Sequence, residues 1–427
     1  MRIAVIGAGV AGLAAAALLA RAGHAVELLE RAEAPRPIGA GLLLQPPGAR
    51  ILGLLGARAP VEAAAARITR LHATTPSGRT LLRLDYADLA PGAHGLGLAR
   101  PLLWSALMEA CRGAGARVVP GAEVTAIMDG AEGGREPADP VVVRAAGRPD
   151  GHYDLAVIAA GTHAAGLVPR GAAQGTAQGT AQGTARRRYV SRLYPWGCLW
   201  ASVVLPPAWP RDALLQRCVG TRVMIGVLPT GTEGGRATGA LYWSIRNDAV
   251  DAWRAGSIAA WRDALTGAWP EAGEIAAGVE RADLAHATYR DVWADPPYAG
   301  RVVVLGDAAH GTSPQLGQGA TQALRDALAL AEALAGPGAV SDRLAAYGRA
   351  RRSATAYYRQ ASRALTPVFQ SAVPGLGLVR DLLAGPVGGL APVRRFALAT
   401  LAGAKTGWFG AEPVSEPAAA PASEAAR

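Results

Sequence analysis

The feature that most limits what this chain can fold into is its first thirty residues. A short apolar run, Arg2–Ile6, leads into Gly7-Ala8-Gly9-Val10-Ala11-Gly12. An Ala/Leu-rich run over 13–21, Gly23, and a second mostly apolar run, Ala25–Leu29, then end on Glu30. That order reads as strand, tight turn, helix, strand. Each glycine has its own task in a dinucleotide-binding βαβ unit: Gly7 permits the turn, Gly9 lets the backbone approach a pyrophosphate, and Gly12 lets the helix sit close to the sheet. Amides at the helix N-terminus hold the phosphates. Glu30, at the end of the second strand, stands where a carboxylate accepts the hydroxyls of an adenosine ribose. Two other readings compete. A signal peptide would carry more than the single Arg of this n-region and would not space its glycines for a turn. A glycine-rich turn in an ordinary α/β core leaves the later motifs unexplained.

At 427 residues, half of them hydrophobic, the chain is globular and long enough for two domains or one elaborated one. No apolar run uninterrupted by glycine or charge reaches spanning length, so no transmembrane helix is expected. The net charge of +10 is carried almost entirely by Arg, Lys405 being the one lysine. The Arg and Ala bias reads mainly as genomic composition, and it is compatible with an anionic cofactor or an anionic membrane surface. Nucleic-acid binding is not expected, because no basic run is interleaved with aromatics in a recognisable module. Cys111, Cys198 and Cys218 have no metal spacing and give no disulfide framework, so no metal and a cytoplasmic location are expected.

Further along, residues 31–36 are a polar connection, and the run from Ile38 through Gly39 and Gly41 to Gln45 and Pro47 leads into a helix. Residues 67–85 read as strands around a Pro76-Ser77-Gly78 turn, and Arg100-Pro101 opens a helix with proline in its first turn. Residues 154–160 form a buried apolar strand. Ala-Gln-Gly-Thr then recurs three times over 173–184, a tract that cannot bury enough surface to fold and is expected to be a flexible insertion. Residues 189–246 are β-rich. In the last of these strands Leu241, Trp243 and Ile245 alternate with Tyr242, Ser244 and Arg246, which is period two. Residues 301–305 return the chain to the buried sheet, and helices fill 317–335 and 341–364.

The second strong signal is Gly306-Asp307-Ala308-Ala309-His310, followed by Pro314-Gln315-Leu316-Gly317-Gln318-Gly319. Gly306 turns the chain at a strand end. Asp307 is placed to accept hydroxyls of a sugar or ribitol. Gly317 and Gly319 bring backbone amides close to a flat ring at a helix N-terminus, where the dipole favours negative charge.

Taken together, the N-terminal GxGxxG with Glu30, the GDAAHxxxPxxGQG run, and Arg100 in an RxxLxxxL context resemble the FAD-dependent aromatic hydroxylases of the p-hydroxybenzoate hydroxylase type, the group A flavoprotein monooxygenases. The resemblance spans residues 1–410. It implies an α/β fold: an FAD-binding, doubly wound, Rossmann-like domain with an inserted β-sheet substrate domain and C-terminal helices. The expected division is 1–187 for the first FAD-binding part, carrying the insertion, 188–288 for the substrate domain, 289–345 for the second FAD-binding part, 346–410 for the C-terminal helices and 411–427 for a disordered tail. By position it implies Gly7, Gly9, Gly12, Glu30 and Arg31 for adenosine and pyrophosphate. Arg100 falls on the pyrophosphate or ribitol side, Val124 near the adenine and Gln45 near the flavin. Gly306 and Asp307 fall at the ribitol, and Pro314, Leu316, Gly317, Gln318 and Gly319 along the isoalloxazine. His310 reads as a structural residue of the motif.

The implied function is insertion of one oxygen atom from O2 into an aromatic or other electron-rich molecule through a C4a-hydroperoxyflavin, with NADPH or NADH as transient reductant. One motif departs from the family. Where it carries Asp-Gly followed by Ser and Arg, this chain has Ala160-Gly161, Ala164 and Leu167. That leaves an FAD oxidase, dehydrogenase or reductase, or the use of a separate reductase, as the alternative. The substrate is expected beneath the β-rich region, walled by Arg192, Tyr194, Trp196, Trp200, Met224, Trp243 and Arg246 with Pro314, half of which will face away by strand alternation. Tyr194 is the candidate base. Residues 376–401 mix apolar side chains with Arg380, Arg394 and Arg395. A lid that also suits peripheral membrane contact is one expectation, and packing on the substrate domain accounts for the same pattern. Gly385-Pro386 and Pro392 are expected to break it into short helices. A monomer or homodimer is expected. Deleting 173–184 should leave melting temperature and flavin content nearly unchanged, since loop length alters free energy only slowly; lost folding or flavin would show that the tract packs on the body.

Overall fold

The structure, a computed structural model, describes residues 1–35, 39–129, 140–168 and 188–414. The Ala-Gln-Gly-Thr tract and all but the first four residues of the expected tail lie outside the described residues.

The opening residues form the strand Arg2–Ile6, the helix Val10–Arg21 and the strand Ala25–Leu29. Ile3, Ala4 and Val5 are fully buried, as parallel strands covered on both faces are. The first strand pairs in parallel with Ala25–Leu29 on one side and Leu155–Ile158 on the other. The complete sheet runs Tyr298–Ala299, Val302–Val304, Leu155–Ile158, Arg2–Ile6, Ala25–Leu29, Arg117–Val119. The late strand Val302–Val304 thus closes against Leu155–Ile158 in parallel. The helix Val10–Arg21 packs between the helices Arg100–Gly113 and Gly319–Ala335. Its run of alanines, buried from Ala14 to Ala17, permits close approach on both sides.

A second sheet has seven strands in the order Ala285–Asp295, Arg188–Val204, Arg236–Arg246, Val223–Glu233, Ala213–Val219, Arg70–Thr74, Thr80–Asp85. The strands expected over 67–85 therefore join this sheet, Arg70–Thr74 pairing in parallel with Ala213–Val219. The boundary expected at 187/188 separates Arg70–Thr74 and Thr80–Asp85 from the other five strands of this sheet, and the one expected at 288/289 falls inside Ala285–Asp295; pairing across long sequence separation leaves no local signal. One face of the sheet carries Leu199, Ile225, Leu241 and Ile245 against Trp261, Leu265, Trp269 and Ile275 of the helical segment behind it. The other face looks into the molecule.

The chain ends in helices Val340–Phe369, Leu376–Gly389 and Ala391–Leu401. The last two bend by 100°. The break falls at Leu390, before Pro392, whereas Pro386 sits inside the first of the pair; Gly385-Pro386 does not end that helix as expected. Among the described residues no single helix is long and apolar enough to cross a membrane.

One buried carboxylate ties the late segments together. Asp326, fully buried in helix Gly319–Ala335, accepts the Gly306 amide at 2.8 Å, a His310 Nε2 contact at 2.5 Å and the Arg351 guanidinium at 2.7 Å. His310 is thus a structural member of the motif. Burial, the largest influence, would raise the Asp326 carboxyl; the charges and hydrogen bonds of His310 and Arg351 outweigh it and hold the group down at about 2. Asp326→Ala leaves Arg351 buried without its carboxylate and should destabilise the protein by about 3–5 kcal/mol, read from denaturant unfolding. In the parent the contribution is present above the ordinary carboxyl pKa of 3.8 and is lost as pH falls towards 2. A loss of unfolding free energy below 1 kcal/mol in the variant would count against this role.

Candidate active site

A single cavity of about 1710 Å³ runs from the glycine turn, between the two sheets, to the C-terminal helices. It exceeds the ~300–1,000 Å³ usual for one small ligand, so it has room for a dinucleotide and a second molecule.

At its first end the turn is built as a cradle. Gly7 is in the left-handed region at φ +102°, which favours glycine. A Cβ on Gly12 would lie 1.9 Å from the Gly7 carbonyl oxygen, whereas a Cβ on Gly9 would meet nothing within 4 Å. Gly12 is therefore required by packing and Gly9 is open towards the cavity. The Ala8 amide donates to Glu30 Oε2 at 2.8 Å and the Ala32 amide to Oε1 at 3.0 Å, while Trp104 Nε1 donates to the Ala8 carbonyl at 2.9 Å. The Ala8 peptide is thus held from both sides at the N-terminus of helix Val10–Arg21. Glu30, Arg31 and Val124 line this end. Trp104 was not singled out from the sequence, although its place four residues after Arg100 puts both on one helix face.

The middle of the cavity is the Gly306–Gly319 segment. Gly306, at φ +58°, sits close to Ala11 and is not itself on the cavity wall. It delivers Asp307, which is. Gly317 adopts the left-handed conformation between Pro314–Leu316 and helix Gly319–Ala335, so Pro314, Leu316, Gly317, Gln318 and Gly319 all face the cavity. Gln318 Nε2 donates to the Leu401 carbonyl at 2.7 Å, fastening this bed to the last helix. Gln318 Oε1 and Gln315 Nε2 are buried without a protein partner. Gln45 lines the cavity as well, its Oε1 accepting the Tyr86 hydroxyl at 2.5 Å. Arg100 also reaches the wall, its guanidinium 5.8 Å from the Trp200 ring. Ala160, Gly161, Thr162 and His163 form the adjacent wall.

At the far end Trp200, Met224 and Pro314 line the cavity. Arg192, Tyr194, Trp196, Trp243 and Arg246 do not. Trp243 lies on the opposite sheet face, 5.9 Å from Trp261, because it pairs with Leu199 while Trp200 pairs with Tyr242. Trp196 is covered by Arg246, 5.0 Å away at the sheet's end. The register of Arg188–Val204 against Ala285–Asp295 slips between Leu193 and Gly197, across Pro195, so the alternation counted from Trp200 does not reach Tyr194 or Arg192. Arg192 is exposed. Burial and the Asp291 carboxylate push the Tyr194 phenol above its ordinary value, which argues against a base there. Wall residues outside the expected set include Cys198, Gln216, Tyr242, Ser244 and Tyr289. Tyr242 was legible as the alternating partner of Trp243. Gln216 and Tyr242 are hydrogen-bonded to each other, and burial pushes the Cys198 thiol up to about 12. Val379, Leu383, Val387, Val393 and Phe396 of the bent helix pair form the facing wall.

A family model described as an FAD binding domain matches residues 1–140 and 214–362. The chain is 30% identical over 385 residues to 3-amino-4-hydroxybenzoate 2-monooxygenase from Streptomyces cremeus, covering 86% of this chain and 88% of that one. It is 29% identical to 2-heptyl-3-hydroxy-4(1H)-quinolone synthase from Mycobacteroides abscessus, covering 90% and 92%. Among solved structures, Klebsiella pneumoniae HpxO complexed with FAD and uric acid superposes with a TM-score of 0.73 at 19% identity, over 94% of this chain and 97% of that one.

The open space at Gly9 and the unpartnered Gln315 Nε2 fit an FAD lying along this cavity. Gly9→Val should fold with parental melting behaviour but lose most of its flavin, read from the flavin-to-protein absorbance ratio. Asp307→Ala should weaken FAD retention by about 1.5–3 kcal/mol. Parental flavin content in both variants would place the dinucleotide elsewhere.

Proposed function

This chain belongs to the family of FAD-dependent aromatic monooxygenases, and we propose that its own substrate is an uncharged ring compound with apolar substituents, with NAD(P)H as the reductant. The observation that carries the substrate class is the charge of the far chamber. Among the described residues, no carboxylate or imidazole lines it; its cations are Arg380 on the facing helices and Arg100, whose guanidinium lies over the Trp200 ring. The Arg380 guanidinium is bound to Asp381 Oδ1 at 2.6 and 2.8 Å and to the Val368 carbonyl at 3.2 Å. A carboxylated substrate would have to displace Asp381 from Arg380, draw Arg100 off the Trp200 ring, or stay unpaired, and an unpaired charge in an apolar chamber is strongly disfavoured.

Bound FAD, once reduced, activates O2 and supplies the oxygen atom. The protein residues supply position and dryness. Glu30 takes the adenosine ribose, the turn at Ala8 and Gly9 the pyrophosphate, and Asp307 the ribitol. Pro314, Leu316 and Gly317 form the bed of the ring, and the N-terminus of helix Gly319–Ala335 favours negative charge beside it. Cys198, Trp200 and Met224 face the substrate from the sheet, and the C-terminal helices give it an apolar wall on the other side. Burial, the largest influence, raises the phenols of Tyr242 and Tyr289 above their ordinary values, so each keeps its proton at neutral pH and orients the substrate by hydrogen bonding. No general base is assigned. Ala160 and Gly161 give a reductant no carboxylate to hold at this wall, so a loose NAD(P)H contact is expected.

Purified holoprotein mixed with NADPH or NADH, then with oxygen, tests the reading. Uncharged rings carrying an apolar chain should raise NAD(P)H consumption with matching hydroxylated product. Aminohydroxybenzoates at neutral pH should not. Preferential turnover of the carboxylated rings would overturn the substrate class, and flavin reduction by neither nicotinamide would overturn the reductant.

A further inference from the structure

The bent helix pair is unusual on its outer side. Leu378, Leu382 and Leu390 are each at least half exposed, and Phe409 just beyond is fully so. Val379, Leu383, Val387 and Phe396 are also about half exposed, yet these same residues line the cavity. The apolar lining therefore continues through the cavity mouth onto the surface. A soluble monomer rarely leaves a contiguous apolar patch of more than a few hundred Å² to water.

The charges at this patch are one-sided. Its carboxylates are already answered by arginine, Asp381 by Arg380 and Asp88 by Arg394. Arg79 reaches the Asp381 carbonyl at 3.2 Å, and Arg395 is exposed. Neither helix is long enough to span a bilayer, and the 100° bend between them gives a surface that lies in an interface.

We propose that helices Leu376–Gly389 and Ala391–Leu401 dock on an anionic lipid bilayer, with the cavity mouth opening into its apolar layer. A second copy seated on this face would cover the mouth, whereas a bilayer leaves it open to hydrocarbon, where an apolar substrate collects. The entry role rests on the substrate class proposed above; docking itself does not.

Full-length holoprotein is sedimented with phosphatidylcholine vesicles containing phosphatidylglycerol and with phosphatidylcholine alone. The parent should pellet with the anionic vesicles. Arg395→Gln should lower that partition about fivefold, the effect of one arginine near an anionic surface, and change little on phosphatidylcholine alone. Leu382→Glu with Leu390→Glu, positions off the cavity wall, should abolish binding while melting temperature and flavin content stay parental. A parent that remains in the supernatant overturns the proposal. So does a double variant that folds and still pellets, or a dimer in light scattering that the double variant converts to monomer. Should the double variant not fold, the parent and Arg395→Gln decide. Vesicle binding by the parent supports docking even where apolar rings are not turned over, a result that counts against the substrate class alone.

Discussion

Removing a carboxylate from water costs several kcal/mol unless partners replace the lost hydration, and Asp326 has no water to face. Its partners come from three directions: the turn at Gly306, the short helix ending at His310, and Arg351 on the long helix Val340–Phe369. Satisfying this one group fixes the turn after Val302–Val304 against two helices. Asp307 is the next residue, so its position is set by an interaction lying behind it. The same helix that carries Asp326 begins at Gly319, which sets the bed from Pro314 to Gln318. Gln318 then hands the constraint to the last helix through the Leu401 carbonyl. A charge outside the cavity thus governs the middle of it.

The two faces of the large sheet divide their work by strand alternation. Odd positions of Arg236–Arg246, such as Leu241 and Trp243, fill a conventional apolar core with the helical segment behind. Even positions, such as Tyr242 and Ser244, face the cavity. The rear core is rich in tryptophan, with Trp209 and Trp269 5.3 Å apart and Trp243 near Trp261. Aromatic residues there stiffen a wall whose other side must present polar groups without collapsing.

Much of this was legible in the sequence because it is local. Glycine spacing encodes the turn at Gly7, Arg100-Pro101 opens the helix Arg100–Gly113, and period two over 241–246 names both faces of a strand. What was not legible depends on pairing between distant segments. Nothing in residues 70–85 says that they join strands near 215, and nothing near Tyr194 announces that Pro195 falls where the register slips. Alternation predicts that half of the candidate wall residues face away, but it does not say that Arg192, Tyr194 and Trp196 are among them. Proline signals were equally context-bound: Pro392 starts a helix, while Pro386 is carried inside one. At the glycine turn, local spacing identified Gly9 and Gly12 together but not their difference, which lies in what a Cβ would touch.

The parallel sheet places Ala156 beside Val302, and this has a consequence for how the chain is made. Until residue 302 has left the ribosome, Leu155–Ile158 lacks its outer neighbour and the nascent sheet keeps an open, apolar edge. The Arg70–Thr74 strand waits likewise for residues near 215. Pairings of such sequence separation form slowly, and exposed edges recruit other chains. Vectorial synthesis therefore leaves a long interval in which the N-terminal half is made but its two sheets cannot yet close.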